Sequence, residues 1–212
     1  MDKILVVGGT RGLGHIITIY LQQDNYEVIS VGTESMDVTK PEVVHELCKV
    51  TCPDTVVYLA VKNHNGFVHK LKAEDVKQAI DVNVLGLTNV LAATLPHMRE
   101  YGYGRFIYIS SVLSRHDVLG TGIYAASKAF GERIIQVAAT ENASKGITCN
   151  TIRLGYFDAG LMNEFSAWVK QTIIDKIPAA RLGETEELYQ AIKMCTGNAY
   201  MNGATVDLTG GL

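Results

Sequence analysis

A serine, a tyrosine and a lysine between Ile109 and Ala129 have the spacing that proton exchange with a substrate oxygen requires. Tyr124 and Lys128 are four residues apart, so on a helix they lie on one face, one turn apart. An ammonium beside a phenol favours the phenolate and lowers the tyrosine pKa toward neutral pH. Ser111 ends an apolar, strand-like run, and its hydroxyl can hold the same oxygen, whereas the strand alternation turns Ser110 away. The pattern predicts the acid–base chemistry that accompanies hydride transfer.

The elements that must position a cofactor for this chemistry begin at the N-terminus. The run KILVVGG is continuously apolar, as expected for a strand of a parallel sheet that is covered on both faces. A glycine turn follows it and leads into an apolar, helix-like segment. Such a turn lets the backbone approach a pyrophosphate, and the helix N-terminus favours its negative charge. The residues predicted to bind the cofactor here are Gly8, Thr10, Arg11, Gly12, Leu13 and Gly14.

The second predicted strand, YEVISVG, bears on the choice between the two nicotinamide dinucleotides. It ends at Gly32-Thr33, where an NAD site usually places Asp or Glu to accept from the ribose 2′-hydroxyl. Arg11 lies within the glycine turn, where its guanidinium can reach a 2′-phosphate. These features favour NADP(H) over NAD(H). In the alternative, Glu34 contacts the ribose and Arg11 is a solvated cation.

The sheet is predicted to be shortened after this strand. Only five residues separate Val31 from Asp37, and residues 39–42 then open a new helix with a capping-box pattern. Parallel neighbours need a crossover of about a dozen residues or more. We therefore expect no regular strand at residues 36–38. We also expect the part of the cofactor site that would hold the adenine to be more open.

An asparagine in the middle of a predicted helix is the next unusual feature. A strand at residues 55–60 precedes a helix predicted over residues 73–95, and Asn83 lies inside it. Asparagine is unfavourable in a helix interior, and the flanking residues Val82, Val84 and Leu85 are apolar. This pattern indicates burial and a specific hydrogen-bonding role for Asn83.

Composition limits the classes of partner. The 212 residues carry a net charge of −3 and 47% hydrophobic residues, which is typical of one domain over residues 1–212 with a full-sized core. The charge gives no basis for binding nucleic acid or an anionic membrane, and no apolar run has the length of a membrane span. The four cysteines, His15 and His64 have no spacing typical of metal ligands, so no metal is predicted. Reduced thiols and a start without the features of a signal peptide predict a cytoplasmic location.

Over essentially its whole length the chain resembles the short-chain dehydrogenase/reductase family. The resemblance rests on GGTRGLG, Asn83 in DVNVLG, Ser111, YAASK at residues 124–128 and the C-terminal RLGETEEL…NGATVDLTGG. It implies an α/β Rossmann fold with a doubly wound, mainly parallel sheet, and a catalytic tetrad of Asn83, Ser111, Tyr124 and Lys128. Tyr124 would exchange the proton and Ser111 would orient the substrate oxygen. Lys128 would hold the nicotinamide ribose, and Asn83 would fix a water in the proton relay.

The resemblance also implies further cofactor contacts and an oligomer. It places at the cofactor Thr33, Asp37, Val38, Ala60, Tyr124, Lys128, Gly155 and Phe157. It implies a homodimer or homotetramer, because the C-terminal segment of single-domain members contributes to a tetramer interface. The chain departs from the family pattern at Tyr58–Val61, where only Ala60 of the usual Asn-Asn-Ala-Gly is kept, and at Leu154 and Ala159. These departures indicate a divergent member.

The predicted function is an NADP(H)-dependent oxidoreductase that acts on a small carbonyl compound or secondary alcohol, and several alternatives stay open. The C-terminal similarity makes a 3-oxoacyl-carrier-protein reductase the nearest specific one. A regulatory protein that binds NADP(H) without turnover would be expected to lose Tyr124 or Lys128, and both are present. A sugar-nucleotide epimerase needs a separate substrate domain, for which the chain has little room. A helical stripe of apolar residues is expected either to cover the substrate or to pack against the rest of the protein. It consists of Leu161, Phe165, Trp168, Val169 and Ile173.

Overall fold

In this computed structural model the described residues are 2–160, 162 and 165–212, and they contain six strands and seven α-helices. Leu161 of the predicted apolar stripe lies outside the described residues. The strands are β1 (Lys3–Val7), β2 (Glu27–Val31), β3 (Thr55–Tyr58), β4 (Gly104–Ser111), β5 (Ile147–Leu154) and β6 (Thr205–Leu208). The helices are α1 (Gly12–Gln23), α2 (Pro41–Thr51), α3 (Ala73–Ile80), α4 (Gly86–Tyr101), α5 (Gly122–Asn142), α6 (Ala167–Ile174) and α7 (Thr185–Gly197).

All six strands form one parallel sheet in the order β2-β1-β3-β4-β5-β6. The chain runs outward from β1 to β2 and then returns to β3 on the other side of β1. The strand order therefore reverses between β1 and β3, and in such sheets the crevice at the carboxyl ends of the strands there binds ligands. This arrangement confirms the predicted doubly wound Rossmann fold.

The alternation of side chains along the strands fills a core on each face of the sheet. Leu5 and Val7 of β1 face the layer formed by α2, α4 and α5. Ile4 and Val6 face the layer that contains α1 and α7. Because both faces are covered, all four of these side chains are at most 1% exposed, which explains the continuous apolar run.

The prediction of a shortened sheet is confirmed beyond β2, which is the edge strand. Residues 36–38 lie outside the sheet, in a segment that begins with a turn closed by the hydrogen bond from Met36 N to the Gly32 carbonyl at 2.8 Å. The predicted capping box is wrong, because α2 begins after Lys40 without a side-chain cap. The Thr39 hydroxyl donates instead to the Asp37 carboxylate at 2.8 Å, two residues earlier.

The helix that carries Asn83 is longer than predicted, since α4 continues to Tyr101. By length and composition alone, the combined segment Ala73–Tyr101 could cross a membrane, which the sequence analysis did not anticipate. Leu87, Val90 and Met98 of this segment are at most 1% exposed and pack in the core against the sheet. We therefore interpret it as a core helix.

Candidate active site

The residues of the predicted tetrad come from three elements that meet at the carboxyl edge of the sheet. Ser111 is the last residue of β4, and Tyr124 and Lys128 lie on successive turns of α5. Asn83 lies in a π-helical turn, Asp81–Leu85, between α3 and α4. Such π-helical turns occur frequently at functional sites. Contacts of α5 with β4 and with the π-helical turn hold the three elements together.

The two serines at the end of β4 face different partners, as the strand alternation predicts. Ser110 donates to the Glu132 carboxylate at 2.6 Å. The Ser111 hydroxyl oxygen accepts from Leu113 N at 3.2 Å and so caps the short 3₁₀ turn Val112–Ser114. Ser111 is also the hydrogen-bonding side chain next to Tyr124.

Tyr124 is half-buried, and this changes the acidity of its phenol. Burial raises the pKa of Tyr124 above its ordinary value, and the hydrogen bond with Ser111 opposes that rise. The expectation that Lys128 pulls the pKa of Tyr124 down is wrong for the chain without a cofactor. The physical reason is that Lys128 is itself deeply buried, so its own charge is disfavoured.

Lys128 occupies a nearly closed environment under Tyr124, with 4% of its surface exposed. Its Nζ donates to the Ile109 carbonyl at 2.7 Å and lies 5.8 Å from the Tyr124 ring centroid. It lies 5.1 Å from the ring centroid of Tyr108. Burial lowers the pKa of Lys128 from 10.5 to about 7, and the carboxylate of Glu132 acts against this shift. Such a strongly perturbed group at a cleft is typical of functional sites.

Asn83 has the specific hydrogen bonds that its position in a helix required. It is 3% exposed, accepts from Lys62 N at 2.7 Å and donates to the Lys62 carbonyl at 2.9 Å. It also donates to the Ser127 hydroxyl at 3.0 Å, and Ser127 lies on α5 beside Lys128. Asn83 therefore ties the loop after β3 to the helix that carries Tyr124. Its contact with a relay water stays a prediction.

The glycine turn forms an open backbone cradle above the sheet. Gly8 has a φ of +84°, and a Cβ at this position would lie 2.7 Å from Ala60 N. Gly12 has a φ of +56° and faces Gly160, with 3.5 Å between its Cβ position and the Gly160 Cα. Arg11 precedes α1 without a side-chain cap, so the first N–H groups of the helix remain available for an anion. The cradle fits a dinucleotide pyrophosphate.

At the side predicted for the adenosine, some side chains are exposed and others make hydrogen bonds within the protein. Thr10 lies against Gly32, and Arg11 and Thr33 are exposed. The Asp37 carboxylate accepts from the Thr39 backbone and hydroxyl, and these hydrogen bonds hold its pKa below the ordinary range. Val38 is buried, and its carbonyl accepts from Asn89 at 2.9 Å.

The loop after β5 closes the other side of the crevice. Gly155 N donates to the Leu208 carbonyl of β6 at 2.8 Å, and Phe157 is 4% exposed within the core. Leu13 is half-buried, and its backbone N lies 3.8 Å from the Cβ position of Gly160. The structure thus brings the glycine turn and the residue 155–160 loop together across the crevice.

Glu132 and Arg153 were not predicted from the sequence, and they form an ion pair behind the tetrad. Their Oε2 and Nη2 atoms are 2.7 Å apart. Two signals were present in the sequence. Glu132 is one helical turn beyond Lys128, and Arg153 is a charged residue in the strand ITCNTIRL, which is otherwise apolar or neutral. Charged side chains are fully buried almost only when they are paired.

Two histidines, His64 and His116, lie on separate loops. His116 and Asp117 are exposed on the loop that precedes α5. His64 Nδ1 lies 3.8 Å from the Asp75 carboxylate. Within residues 2–160, 162 and 165–212, no group of three His, Cys, Asp or Glu side chains is placed to hold a metal ion.

Comparison with known proteins identifies the family. The model of the short chain dehydrogenase family matches residues 36–170. Acetoacetyl-CoA reductase from Shinella zoogloeoides is 28% identical over 232 residues, which cover 98% of this chain and 96% of the relative. The 3-oxoacyl-[acyl-carrier-protein] reductase from Pseudomonas aeruginosa is 27% identical over 236 residues, with the same coverage. Both alignments are longer than the 212 residues of this chain, as expected for a chain that lacks a segment.

Solved structures agree on the fold. The structure of ElxO with NADP bound has a TM-score of 0.89 at 22% identity and covers 99% of this chain and 98% of its own. A small-chain dehydrogenase in complex with NADPH has a TM-score of 0.88 at 24% identity and covers 99% and 97%. The chain belongs to the short-chain dehydrogenase family and is an oxidoreductase.

Proposed function

We propose that this protein is an NADP(H)-dependent reductase that interconverts a carbonyl group and a secondary alcohol, with Tyr124 as the general acid and base. The observation that carries the proposal is the meeting of Ser111, Tyr124, Lys128 and Asn83 at the carboxyl edge of the sheet, next to a backbone cradle that suits a pyrophosphate. The residues of the chain then divide the acid–base chemistry among them.

The proton transfer uses the two hydroxyl groups that face the crevice. The Ser111 hydroxyl donates to the carbonyl oxygen and fixes its position. The Tyr124 hydroxyl gives its proton to the same oxygen as negative charge develops there, a contribution typically worth about 10²–10⁴ in rate. When bound, NADPH supplies the hydride that reaches the carbonyl carbon. The product is an alcohol, and Tyr124 then regains a proton from solvent.

The acidity of Tyr124 suits the role of a proton donor in reduction. Because burial raises its pKa, the phenol keeps its proton at neutral pH, and reduction consumes a proton. Oxidation requires the phenolate instead. Lys128 in its ammonium form stabilises that phenolate, and the positive nicotinamide of the oxidised cofactor acts in the same way.

The exposed groups at the adenosine side support NADP(H) rather than NAD(H). Arg11 is exposed at the mouth of the glycine turn, and Gly32 and Thr33 offer no carboxylate to a ribose hydroxyl. A guanidinium is a strong, bidentate partner for a phosphate. Two solved structures of this fold, ElxO and a small-chain dehydrogenase, hold NADP or NADPH. Titration of the pure protein with NADPH and NADH tests the preference, and equal affinity would contradict it.

The second candidate function is reduction of a 3-oxoacyl thioester in particular. Relatives at 25–29% identity include acetoacetyl-CoA reductases and 3-oxoacyl-[acyl-carrier-protein] reductases. The loops beside Tyr124 expose apolar side chains that suit an acyl chain, since Val68 is 76% and Leu119 86% exposed. These loops contact each other through the hydrogen bond from Gly66 N to the Gly120 carbonyl at 2.7 Å.

We also propose that residues 1–212 act as one cofactor-binding and catalytic domain, in a cytoplasmic homodimer or homotetramer. The family resemblance of the C-terminal segment supports the oligomer. Light scattering coupled to size-exclusion chromatography measures the molar mass directly. A monomer at micromolar concentration would contradict this part of the proposal.

The test of the reaction uses acetoacetyl-CoA and a panel of simple ketones, with oxidation of NADPH followed by its absorbance. The Tyr124→Phe variant should bind NADPH with unchanged affinity and lose at least about two decades of kcat. Tyr101→Phe, an exposed tyrosine on α4, is the matched control and should react like the wild type. Unchanged turnover in Tyr124→Phe would refute the role of Tyr124.

A further inference from the structure

A buried ion pair lies directly behind the tetrad and has no place in the reaction described above. Arg153 of β5 has a side chain that is only 2% exposed and donates from Nε and Nη2 to the two carboxylate oxygens of Glu132, at 3.0 and 2.7 Å. Its Nη1 pairs with Asp207 of β6. Glu132 lies on α5, one turn beyond Lys128, so the pair joins the helix of the active site to two strands.

The same carboxylate holds both ends of the turn that presents Ser111. Glu132 Oε1 accepts from Ser110 Oγ and from Ser114 Oγ, each at 2.6 Å. Ser110 precedes Ser111 directly, and Ser114 ends the 3₁₀ turn that Ser111 caps. Ser114 also accepts from Arg153 Nε at 3.2 Å. The backbone of Ser111 is therefore clamped to α5, which carries its partner Tyr124.

We infer that Glu132, anchored by Arg153, is a positioning residue that fixes Ser111 relative to Tyr124 and provides the negative charge that faces Lys128. The inference rests on the proposed function, since it assigns a role within the same site. In this role Glu132 acts through Ser111 and Lys128.

The charges around Lys128 are consistent with this role. Glu132 and Tyr124 face it from α5, and Tyr108 faces it from β4. Arg153 of β5 pairs with Glu132 and with Asp207 of β6, so both are linked to Lys128 through Glu132. Burial raises the pKa of Glu132, but hydrogen bonds from Arg153, Ser110 and Ser114 outweigh burial and keep it below the ordinary value. Glu132 is therefore ionised at neutral pH and favours the ammonium form of Lys128.

A role in stabilising the fold would also explain a buried ion pair. The two explanations predict different effects on activity when Glu132 or Asp207 is replaced. Buried ion pairs are weak evidence of stability, because desolvation offsets much of their attraction. If the ion pair only stabilises the fold, Asp207 and Glu132 should be equally important, because both carboxylates bind Arg153. If the pair positions Ser111, only Glu132 should matter for activity. Ser110 and Ser114 bind Glu132 and not Asp207, and Lys128 faces Glu132.

The kinetic experiment compares Glu132→Gln with Asp207→Asn, using acetoacetyl-CoA or whichever ketone of the panel the wild type reduces. In Glu132→Gln we expect kcat to fall about 10- to 100-fold, because small misplacements of reacting groups have costs of this size, with KM for NADPH within about 2-fold. In Asp207→Asn we expect kcat within about 2-fold of the wild type. Equal losses in the two variants, or an unchanged Glu132→Gln, would overturn the inference.

A second measurement requires no turnover. Carbon NMR of lysine labelled at Cε follows the titration of Lys128, which is assigned by its absence from Lys128→Met. We expect the midpoint in Glu132→Gln to lie at least about one pH unit below that of the wild type. An unchanged midpoint would overturn the electrostatic part of the inference. If the wild type reduces no ketone, the proposed function fails while this titration still tests the facing charge.

A third variant tests the clamp if Glu132→Gln does not fold. Ser110→Ala combined with Ser114→Ala leaves the pair of Glu132 and Arg153 in place and removes only its link to the Ser111 turn. We expect the same fall in kcat as above, with the Lys128 midpoint unchanged. Full activity in this double variant would overturn the positioning role.

Discussion

Replacement of Lys128 by methionine is expected to stabilise the cofactor-free chain at acidic pH and to abolish turnover. Burial lowers the pKa of Lys128 from 10.5 to about 7, and the unfolded chain restores the ordinary value. Between these two values the unfolded chain binds a proton that the native chain does not. The native state therefore gains stability as the pH rises from about 7 to about 10.5, and below about 7 it carries the full penalty of the buried charge.

The size of the effect follows from this difference. The buried ammonium destabilises the native state by roughly 5 kcal/mol at about pH 6 and by roughly 2 kcal/mol at about pH 9. Methionine has a similar shape and removes this penalty. It also leaves the Ile109 carbonyl without its 2.7 Å hydrogen bond, at a cost of about 1–3 kcal/mol. The variant should thus be more stable than the wild type by roughly 2–4 kcal/mol at about pH 6, with roughly no difference at about pH 9.

Urea unfolding followed by circular dichroism at constant ionic strength measures the free energy of unfolding of both proteins across this pH range. Other titrating groups are common to the two proteins, so the difference between them isolates Lys128. Lys176→Met, at an exposed lysine, is the matched control and should change stability little at any pH. A difference between wild type and Lys128→Met that stays constant from about pH 6 to about pH 9 would refute the depressed lysine pKa and the reasoning built on it.

Three further substitutions test the elements around the tetrad. Gly8→Ala places a Cβ 2.7 Å from Ala60 N at a φ of +84°, so it should cost at least about 2 kcal/mol in urea unfolding, whereas Gly197→Ala meets no neighbour and should be neutral. Asn83→Ala removes buried hydrogen bonds to Lys62 and should destabilise by about 2–4 kcal/mol, and an unchanged melting temperature would contradict this. Arg11→Ala should raise KM for NADPH at least about tenfold and leave KM for NADH within about twofold, and equal changes would argue against a 2′-phosphate contact.

The features that the sequence predicted correctly depend on short stretches of chain. The apolar run of β1 and the glycine turn define the start of a parallel sheet because each constrains its own few residues. The absence of a crossover was predicted from the number of residues between Val31 and Asp37, which is too small for a helix and a strand. The structure replaces that crossover by the turn from Gly32 to Met36 and leaves β2 at the edge.

The features that the sequence did not predict depend on partners far along the chain. The π-helical turn around Asn83 accompanies hydrogen bonds to Lys62, 21 residues away, and to Ser127, 44 residues away. The pair of Glu132 and Arg153 joins a helix to a strand across 21 residues. A helical or strand pattern specifies which residues share a face, but it does not specify which residue of another element meets that face.

The acidity of the tetrad is the clearest case, because the spacing of Tyr124 and Lys128 does not show how deeply either side chain is buried. The spacing of Tyr124 and Lys128 indicates a charged pair in which the ammonium draws the phenol toward ionisation. Burial reverses both effects: the phenol keeps its proton, and the pKa of the lysine falls to about 7. A site in this state holds the proton that carbonyl reduction consumes. Under the proposed function, Tyr124 would become a base for alcohol oxidation when additional positive charge enters the crevice, and an oxidised nicotinamide would bring such a charge. Under the proposed function, the protonation of Tyr124 is therefore coupled to the charge of the cofactor through the low polarity of the site, and Glu132 limits how far Lys128 can lose its own charge.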